Sequence, residues 1–178
     1  MLMRKYFAAI VVIAFIVLSF LRNETWKDEW TIYIDATTKS PDKTRSIANL
    51  GRAALERKEF GAALALLLKA CERFPYHSAL YVNLGTAYAG LDQRTSARQM
   101  FEKAIAFDAN NSAAYYNLGL LYFQIFKDND QALVYLLKAR DLDPTDPAVH
   151  FSLGLVYRER GENELAQKEF ILQKTLGP

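Results

Sequence analysis

The sequence predicts an all-α fold, a solenoid of helix-turn-helix units preceded by a single transmembrane helix. A Leu-Gly phrase recurs four times with a period of about 34 residues, and small and bulky apolar residues follow each copy at matching positions. These two observations predict the solenoid. An uncharged apolar stretch at residues 6–21 predicts the membrane segment.

Composition narrows the possible functions. The 178 residues include 22 Lys and Arg against 20 Asp and Glu, a net charge of +2, so no charge excess points to nucleic acid. The single cysteine, Cys71, excludes an internal disulfide. Two histidines, His77 and His150, cannot build a metal site without scattered carboxylates. We therefore expect no cofactor, no metal and no nucleic-acid partner.

Residues 1–22 carry the first predicted element. The sixteen residues at positions 6–21 are uncharged, with Arg4 and Lys5 before them and Arg22 after them. A spanning helix needs about 17–25 apolar residues, and flanking basic side chains can reach the headgroups of a slightly short one. A cleaved signal peptide and a buried core helix are the alternatives, but the residues after position 21 fit a cleavage site poorly. We expect an uncleaved signal anchor.

The charges beside the anchor predict its orientation. Arg4, Lys5 and the amino terminus precede the apolar stretch, whereas basic and acidic residues are mixed after it. The positive-inside rule keeps the amino terminus in the cytoplasm. The sequence thus predicts a single-pass inner (cytoplasmic) membrane protein whose repeats lie on the extracytoplasmic side, periplasmic or lumenal.

The repeat is defined by its own recurring residues. The glycines of the Leu-Gly pairs are separated by 34, 34 and 35 residues, and we expect the extra residue of the third copy in the polar turn at 126–130. An alanine, a bulky apolar residue, a second alanine and a proline follow each pair, except that Ala109 and Gln173 replace one proline and one alanine. The glycines are Gly51, Gly85, Gly119 and Gly154, the first alanines Ala63, Ala97, Ala132 and Ala166, and the bulky residues Leu67, Phe101, Leu136 and Phe170.

This pattern resembles the tetratricopeptide repeat, a helix-turn-helix unit with the same period and residue order. The resemblance implies a right-handed superhelix with units at residues 44–77, 78–111, 112–146 and 147–178. Glycine and alanine are expected where two helices cross closely, and proline ends the second helix. Tyr81, Tyr88, Tyr115 and Tyr122 are expected to fill gaps in the core.

The repeat pattern extends upstream into residues 23–43. Tyr33, Ala36 and Pro41 each lie 34 residues before the residue that holds the same repeat position in the first unit. The segment therefore matches the second helix of a repeat whose first helix is missing. We expect it to form a capping helix and linker that covers the first full unit.

The same junction has a second resemblance. Its phrase R-N-x-x-W-K-D-E, followed by K-S-P-D-K-x-R and N-L-G, is similar to the junction before the repeat tail of polytopic glycosyltransferase-like proteins that use dolichyl-phosphate-mannose. In that family the repeats are extracytoplasmic. The multi-helix catalytic part is missing from this chain, so the resemblance implies topology and not transferase activity.

The sequence predicts no enzyme. Its carboxylates fall on turns and exposed faces, and no Ser, His and Asp set or glycine-rich phosphate loop occurs. Cys71 follows Ala70 inside a second helix, where a buried thiol is the usual state. His150 takes the position of Tyr81 and is expected to be a packing substitute, while His77 is expected to be a solvated turn residue.

The candidate site is the face lined by the first helix of each unit. Asn49, Asn83 and Asn117 precede the leucine in three successive units, and this arrangement resembles the asparagine ladder of peptide-binding superhelical repeats. An amide both donates and accepts, as a peptide backbone requires. The alternative is that Asn-Leu-Gly is common in this repeat whether or not a ligand binds. Further candidates are Arg45, Arg52, Val82, Thr86, Tyr116, Leu120, Phe123, Phe151, Leu155 and Arg158.

We expect a membrane-anchored scaffold for protein-protein interaction, an accessory or assembly subunit of an extracytoplasmic membrane complex. The alternative is an accessory component of a glycosyl-transfer or export machinery. Ala48, Val82 and Tyr116 stand where a chaperone-tail adaptor would have lysine, which disfavours that class. The last helix leaves apolar residues near the end of the chain, so we also expect docking of a partner or a second copy there, as in a homo-oligomer.

Overall fold

The structure, a computed structural model, describes residues 44–177, with side chains from residue 47. The predicted transmembrane anchor and the capping helix lie outside the described residues. Within 44–177 no helix is long and apolar enough to cross a membrane. The described part holds eight α-helices: α1 (Thr44–Glu56), α2 (Phe60–Arg73), α3 (Ser78–Gly90), α4 (Arg94–Phe107), α5 (Ser112–Leu121), α6 (Asn129–Leu142), α7 (Pro147–Glu159) and α8 (Asn163–Leu176).

The helices form a solenoid of four antiparallel pairs, which confirms the predicted all-α fold. Each odd-numbered helix packs along the even-numbered helix that follows it, and each even-numbered helix packs on the next pair. The odd-numbered helices of the first three pairs also contact one another in succession. These three helices therefore share one face of the array, the face that carries the candidate residues.

One contact recurs inside every pair, between the glycine of the first helix and a bulky residue of the second. A methyl group built on Gly51 would lie 2.8 Å from Leu67 Cγ, and one on Gly119 would lie 2.7 Å from Leu136 Cγ. Leu67 and Leu136 are fully buried. The glycine is therefore needed because the partner side chain occupies the space of a Cβ atom, as the sequence predicts.

Residues with left-handed backbone end the first helix of each pair. Lys58, Asp92, Lys127 and Gly161 have φ values of 60°, 56°, 57° and 80°. In the first, second and fourth pairs the turn is closed by an N–H that donates to the carbonyl five residues earlier, for example from Glu59 to Ala54 at 2.9 Å. This bond satisfies a carbonyl that the helix end would leave unpaired.

The third pair accommodates its extra residue differently from the prediction. The closing bond there runs from Asp128 N to Tyr122 O, six residues instead of five, at 3.0 Å. Residues Tyr122–Phe126 form a π-helical turn, and from Lys127 onward the repeat register is restored. The insertion thus lies inside the end of the first helix, because a wider turn absorbs one residue without moving the rest of the unit. The expected placement in the polar turn at 126–130 is wrong for this reason.

Hydrogen bonds join successive pairs at the starts of their first helices. Asn111 accepts from Ala114 N as the N-cap of α5, and its Nδ2 donates to Ser78 Oγ at 2.7 Å. The Ser78 hydroxyl in turn donates to the Ala104 carbonyl at 2.9 Å. Because Ser78 is buried, this chain of bonds fixes how the second and third pairs stack.

His150 and Glu169 form a buried polar pair in the fourth repeat. His150 Nε2 donates to Pro144 O at 3.0 Å, because a carbonyl can only accept. His150 Nδ1 lies 2.6 Å from Glu169 Oε2, within hydrogen-bond distance. Arg140 Nη1 lies 3.6 Å from the other carboxylate oxygen. The pKa of Tyr157 is raised, chiefly because the side chain is buried and secondly because of the Glu169 carboxylate.

In the second repeat, a tyrosine holds the position that His150 holds in the fourth. Tyr81, four residues before Gly85, donates its hydroxyl to Pro75 O at 2.7 Å, just as His150, four residues before Gly154, donates to Pro144 O. Met100 and Glu169 both lie fifteen residues after the glycine of their repeat. His150 therefore keeps the bond made by tyrosine, and its second ring nitrogen requires the carboxylate that replaces methionine.

Substitution of Gly119 by alanine tests the recurring contact. We expect Gly119→Ala to lower the free energy of unfolding by about 1–3 kcal/mol through overpacking, since the new Cβ would also lie 3.2 Å from the backbone nitrogen of Leu136. Gly61→Ala in α2 is the matched control, because nothing lies within 4 Å of its Cβ and alanine favours the helix. Thermal unfolding followed by circular dichroism measures both. Equal melting temperatures would contradict the packing role.

A double-mutant cycle tests the His150–Glu169 pair. We expect His150→Tyr and Glu169→Met each to cost about 2–4 kcal/mol, because each leaves a buried polar partner incompletely paired. The double variant reproduces the Tyr81 and Met100 combination of the second repeat. Its loss of unfolding free energy should be about 1–3 kcal/mol smaller than the sum of the two single losses. Urea unfolding gives the three values. Additive losses would mean that the two side chains act independently.

Candidate functional site

A concavity of about 470 Å³ lies between α1 and α3, and we call it the first cavity. Three of the predicted site residues, Asn49, Arg52 and Asn83, line it together. The two asparagines come from the same position of successive repeats, so the stacking of α1 and α3 brings both of them to the same cavity. The described residues that line it are Ala48, Asn49, Arg52, Phe74, His77, Ala79, Leu80 and Asn83.

Among the described residues that line the first cavity, the polar side chains are two amides, a guanidinium and an imidazole, and none is a carboxylate. Arg52 Nη1 donates to Glu56 Oε1 at 2.5 Å, an exposed pair one helical turn apart that compensates part of the positive charge. The amides of Asn49 and Asn83 offer donors and acceptors, and the paired guanidinium of Arg52 lies beside them at the same cavity. Such a lining suits an extended backbone that carries an acidic group.

The sequence-based prediction omitted both loop residues of the first cavity. Phe74 and His77 belong to the loop between α2 and α3, and their rings form a T-shaped pair with centroids 6.5 Å apart. Asp108 and Asn111 stand at the equivalent positions of the next loop. The sequence therefore did mark these two residues, because Phe74 and His77 depart from the turn-forming residues that the repeat has at the same positions.

A smaller concavity of about 130 Å³ separates α3 from α5. Asn117 lines it, but Asn117 Nδ2 donates to Ala113 O at 2.7 Å inside its own helix. Its amide nitrogen is therefore already paired, and Asn117 does not share the first cavity with the other two asparagines. Two further candidates, Thr86 and Leu120, also line this smaller concavity.

The remaining predicted residues fall into three environments. Val82 is buried in the core, and the side chain of Arg45 lies outside the described part. Tyr116, Phe123 and Leu155 are half-buried, whereas Phe151 and Arg158 are exposed. Phe151 lies with its ring centroid 6.0 Å from that of Phe170, and Arg158 Cζ lies 5.9 Å from the same ring. These last two residues form an aromatic and cationic surface in the fourth repeat.

The exposed side of α8 carries a shallow apolar concavity of about 590 Å³, lined by Asn163, Glu164, Gln167, Lys168, Ile171 and Leu172. Ile171 is 54% exposed. The expectation that a partner or a second copy docks near this end stays a prediction.

Residues with intrinsic reactivity are few in the described part. Cys71 is half-buried, and this burial raises the pKa of its thiol. The charge of Lys103 and a hydrogen bond with Tyr81 lower the pKa, but by less than burial raises it. A thiol with a raised pKa forms little thiolate and is a poor nucleophile at neutral pH. Within residues 44–177, no group of three His, Cys, Asp or Glu residues could hold a metal ion.

Solved structures with similar folds include other repeat proteins. TTC0263, a thermophilic TPR protein of Thermus thermophilus, matches with a TM-score of 0.76 at 19% identity over 84% of this chain and 81% of its own. YrrB, described as a TPR protein with an unusual peptide-binding site, matches with a TM-score of 0.63 at 24% identity over 82% of this chain and 75% of its own. At these identities the likeness shows the fold.

Among curated proteins, the human protein O-mannosyl-transferase TMTC3 is 27% identical over 120 residues, 67% of this chain and 13% of that protein. The BBSome complex member BBS4 of Xenopus tropicalis is 24% identical over 138 residues, 78% of this chain and 27% of that protein. The chain spans no more than about a quarter of the length of these relatives.

Family models identify the repeat directly. One tetratricopeptide-repeat model matches residues 54–120 and a second matches residues 112–146, so together they span more than half of the 178 residues. The matched region includes the recurring glycine contacts of the second and third pairs and every described residue that lines the smaller concavity. The chain therefore belongs to the tetratricopeptide-repeat family.

Proposed function

We propose that this protein is a membrane-anchored interaction scaffold that holds an extended segment of a protein partner in the first cavity. The observation that carries the proposal is that two asparagines, Asn49 and Asn83, line one cavity together with the apolar residues Phe74 and Leu80. Tetratricopeptide-repeat proteins generally serve as scaffolds, and YrrB, which shares the fold, has a peptide-binding site of its own.

The chemistry of the cavity suggests what kind of segment it takes. A backbone amide of the ligand can pair with an asparagine side chain, and each such bond contributes about 0.5–1.5 kcal/mol. Phe74 and Leu80 offer apolar contact, and the His77 imidazole can donate to a carboxylate. An extended peptide with an apolar residue next to an acidic group fits these features.

The anchor and the side of the membrane are proposed from the sequence. The uncharged residues 6–21 support insertion, and Arg4 and Lys5 before them support an amino terminus in the cytoplasm. The repeats would then act on the extracytoplasmic side, as part of a membrane complex.

A second candidate function is an accessory role in glycosyl transfer. It is favoured by the similarity to protein O-mannosyl-transferase TMTC3, although the transferase activity is that protein's own, and by the junction phrase around residues 22–51. Purification of the full chain from detergent-solubilised membranes separates the two. A glycosyltransferase or a lipid-linked sugar in the eluate would favour the second candidate, and an unrelated membrane complex would favour the scaffold.

Alanine substitution of the cavity asparagines tests the binding mode. We expect Asn49→Ala and Asn83→Ala each to weaken binding of the co-purified partner segment by about 0.5–1.5 kcal/mol, because each removes hydrogen bonds to its backbone. Asn117→Ala is the matched control, since its amide nitrogen bonds within its own helix. Fluorescence anisotropy with the labelled segment measures the affinities. Equal losses at all three positions would place the segment outside the first cavity.

Charge insertion tests the anchor. We expect the unmodified full chain to stay in the membrane after an alkaline wash and to keep its amino-terminal residues. Val12→Arg combined with Ala14→Arg should release it, because each charge near the middle of a spanning helix costs about 2.5–3.5 kcal/mol. Arg22→Gln, at the edge of the apolar stretch, is the control and should stay bound. An amino terminus that begins after position 21 would contradict the anchor.

A further inference from the structure

The first cavity opens where the repeat has its smallest side chain at one position of the first helix. Three residues before the glycine, α1 has Ala48, whereas the later first helices have Val82, Tyr116 and Phe151. Ala48 lines the first cavity. Val82 is buried, and it is not among the described residues that line the smaller concavity between α3 and α5. The small side chain of Ala48 therefore leaves open a space that a larger residue at this position would occupy.

The smaller concavity differs from the first cavity in size and in lining. Its volume is about 130 Å³, against about 470 Å³ for the first cavity. Two of its polar side chains already donate within their own helices, Thr86 Oγ1 to Val82 O at 3.0 Å and Asn117 Nδ2 to Ala113 O at 2.7 Å. The other described lining residues are apolar except Gln124: Ala89, Phe101, Leu120, Leu121 and Ile125. This concavity therefore suits a small apolar side chain.

Both concavities share α3 as a wall, so one extended segment can enter both. Asn83 lines the first cavity, and Thr86, three residues further along α3, lines the smaller one. Packed helices lie about 8–10 Å apart, and the α3 residues of the two linings are on average about seven residues apart, or ~10 Å along the helix. The two concavities are therefore roughly 13 Å apart, the length of about four extended residues.

An extended segment of this length places its side chains suitably. Successive side chains point to opposite sides, so two residues four positions apart lie on the same side. One of them enters the first cavity and the other enters the smaller concavity. The backbone between them crosses α3 near Asn83, whose amide both donates and accepts, as that backbone requires.

We propose that this groove reads the size of the partner's side chains. The inference rests on the proposed function and names the segment that the first cavity takes: an extended peptide with a bulky apolar residue and a small apolar residue four positions apart. The bulky residue enters the first cavity beside Phe74 and Leu80, and the small residue enters the smaller concavity. Ala48 and Thr86 determine which sizes fit.

Peptide selection tests this preference. Short random peptides displayed on phage are selected on the full chain in detergent, and the selected sequences are synthesised with a fluorophore. We expect these peptides to share a bulky and a small apolar residue four positions apart. Fluorescence anisotropy then measures their affinities for the unmodified chain and for its variants.

Two substitutions fill the concavities with residues that other repeats have at the same positions. Ala48→Val copies Val82 and should weaken binding at least about tenfold, because the added methyl groups take space from the bulky residue. A peptide whose bulky residue is shortened to alanine should bind both chains equally. Thr86→Leu copies Leu120 and should likewise weaken binding, but not for a peptide with glycine in place of the small residue. Ala106→Val, at an exposed position of α4, is the matched control and should change no affinity.

The outcomes separate the size preference from the proposed function. A selected peptide that loses affinity in Asn83→Ala but not in Ala48→Val or Thr86→Leu would overturn the size preference and leave the proposed function. Losses that the shortened peptides also show would overturn the size preference, since the substitutions would then have distorted the groove. A selection that yields no peptide, or peptides whose affinity none of the three substitutions changes, would overturn the first cavity as the binding site and the size preference with it.

Discussion

The whole array depends on the contact between a glycine and a bulky side chain in each helix pair. Where that side chain is fully buried, as with Leu67 and Leu136, the second helix approaches the first so closely that a Cβ atom on the glycine would collide with it. This approach sets the distance inside a pair, and the alanines around it let the next pair stack at the same spacing. The first helices then share one face, and the amides of Asn49 and Asn83 reach the same cavity. The geometry of the site follows from packing inside the repeats.

Most of the helix arrangement could be predicted from the sequence, because the residues needed for packing recur at the same positions in every repeat. Four Leu-Gly pairs at a nearly constant period locate the first helices, and the alanines locate the second helices. The π-helical turn at Tyr122–Phe126 could not be predicted, since an extra residue has the same effect on the period wherever it lies between Gly119 and Ala132. The hydrogen bond that closes the turn fixes its place, and only the structure provides that bond.

Only part of the candidate site could be predicted from the sequence, and there is a physical reason for this limit. A position in the repeat predicts which face a side chain lies on, but not which bonds it makes there. Asn83 and Asn117 hold the same position, yet Asn117 bonds to the carbonyl of Ala113 while Asn83 lines the first cavity. Phe74 and His77 were missed because they lie in a loop, where the period gives no prediction of side-chain direction.

Departures from the repeat carry more functional information than the repeat itself. His150 departs from tyrosine, but Glu169 departs from methionine in the same unit and pairs with it, so the two changes compensate inside the fold. The change to Phe74, Tyr76 and His77 has no such compensation: two backbone-capping interactions are absent, and the new side chains lie exposed or at the wall of a cavity. A substitution that lowers helix capping without improving the core is best explained by contact with another molecule. In this protein such a substitution occurs in the first repeat, where the cavity and the exposed loop share Phe74.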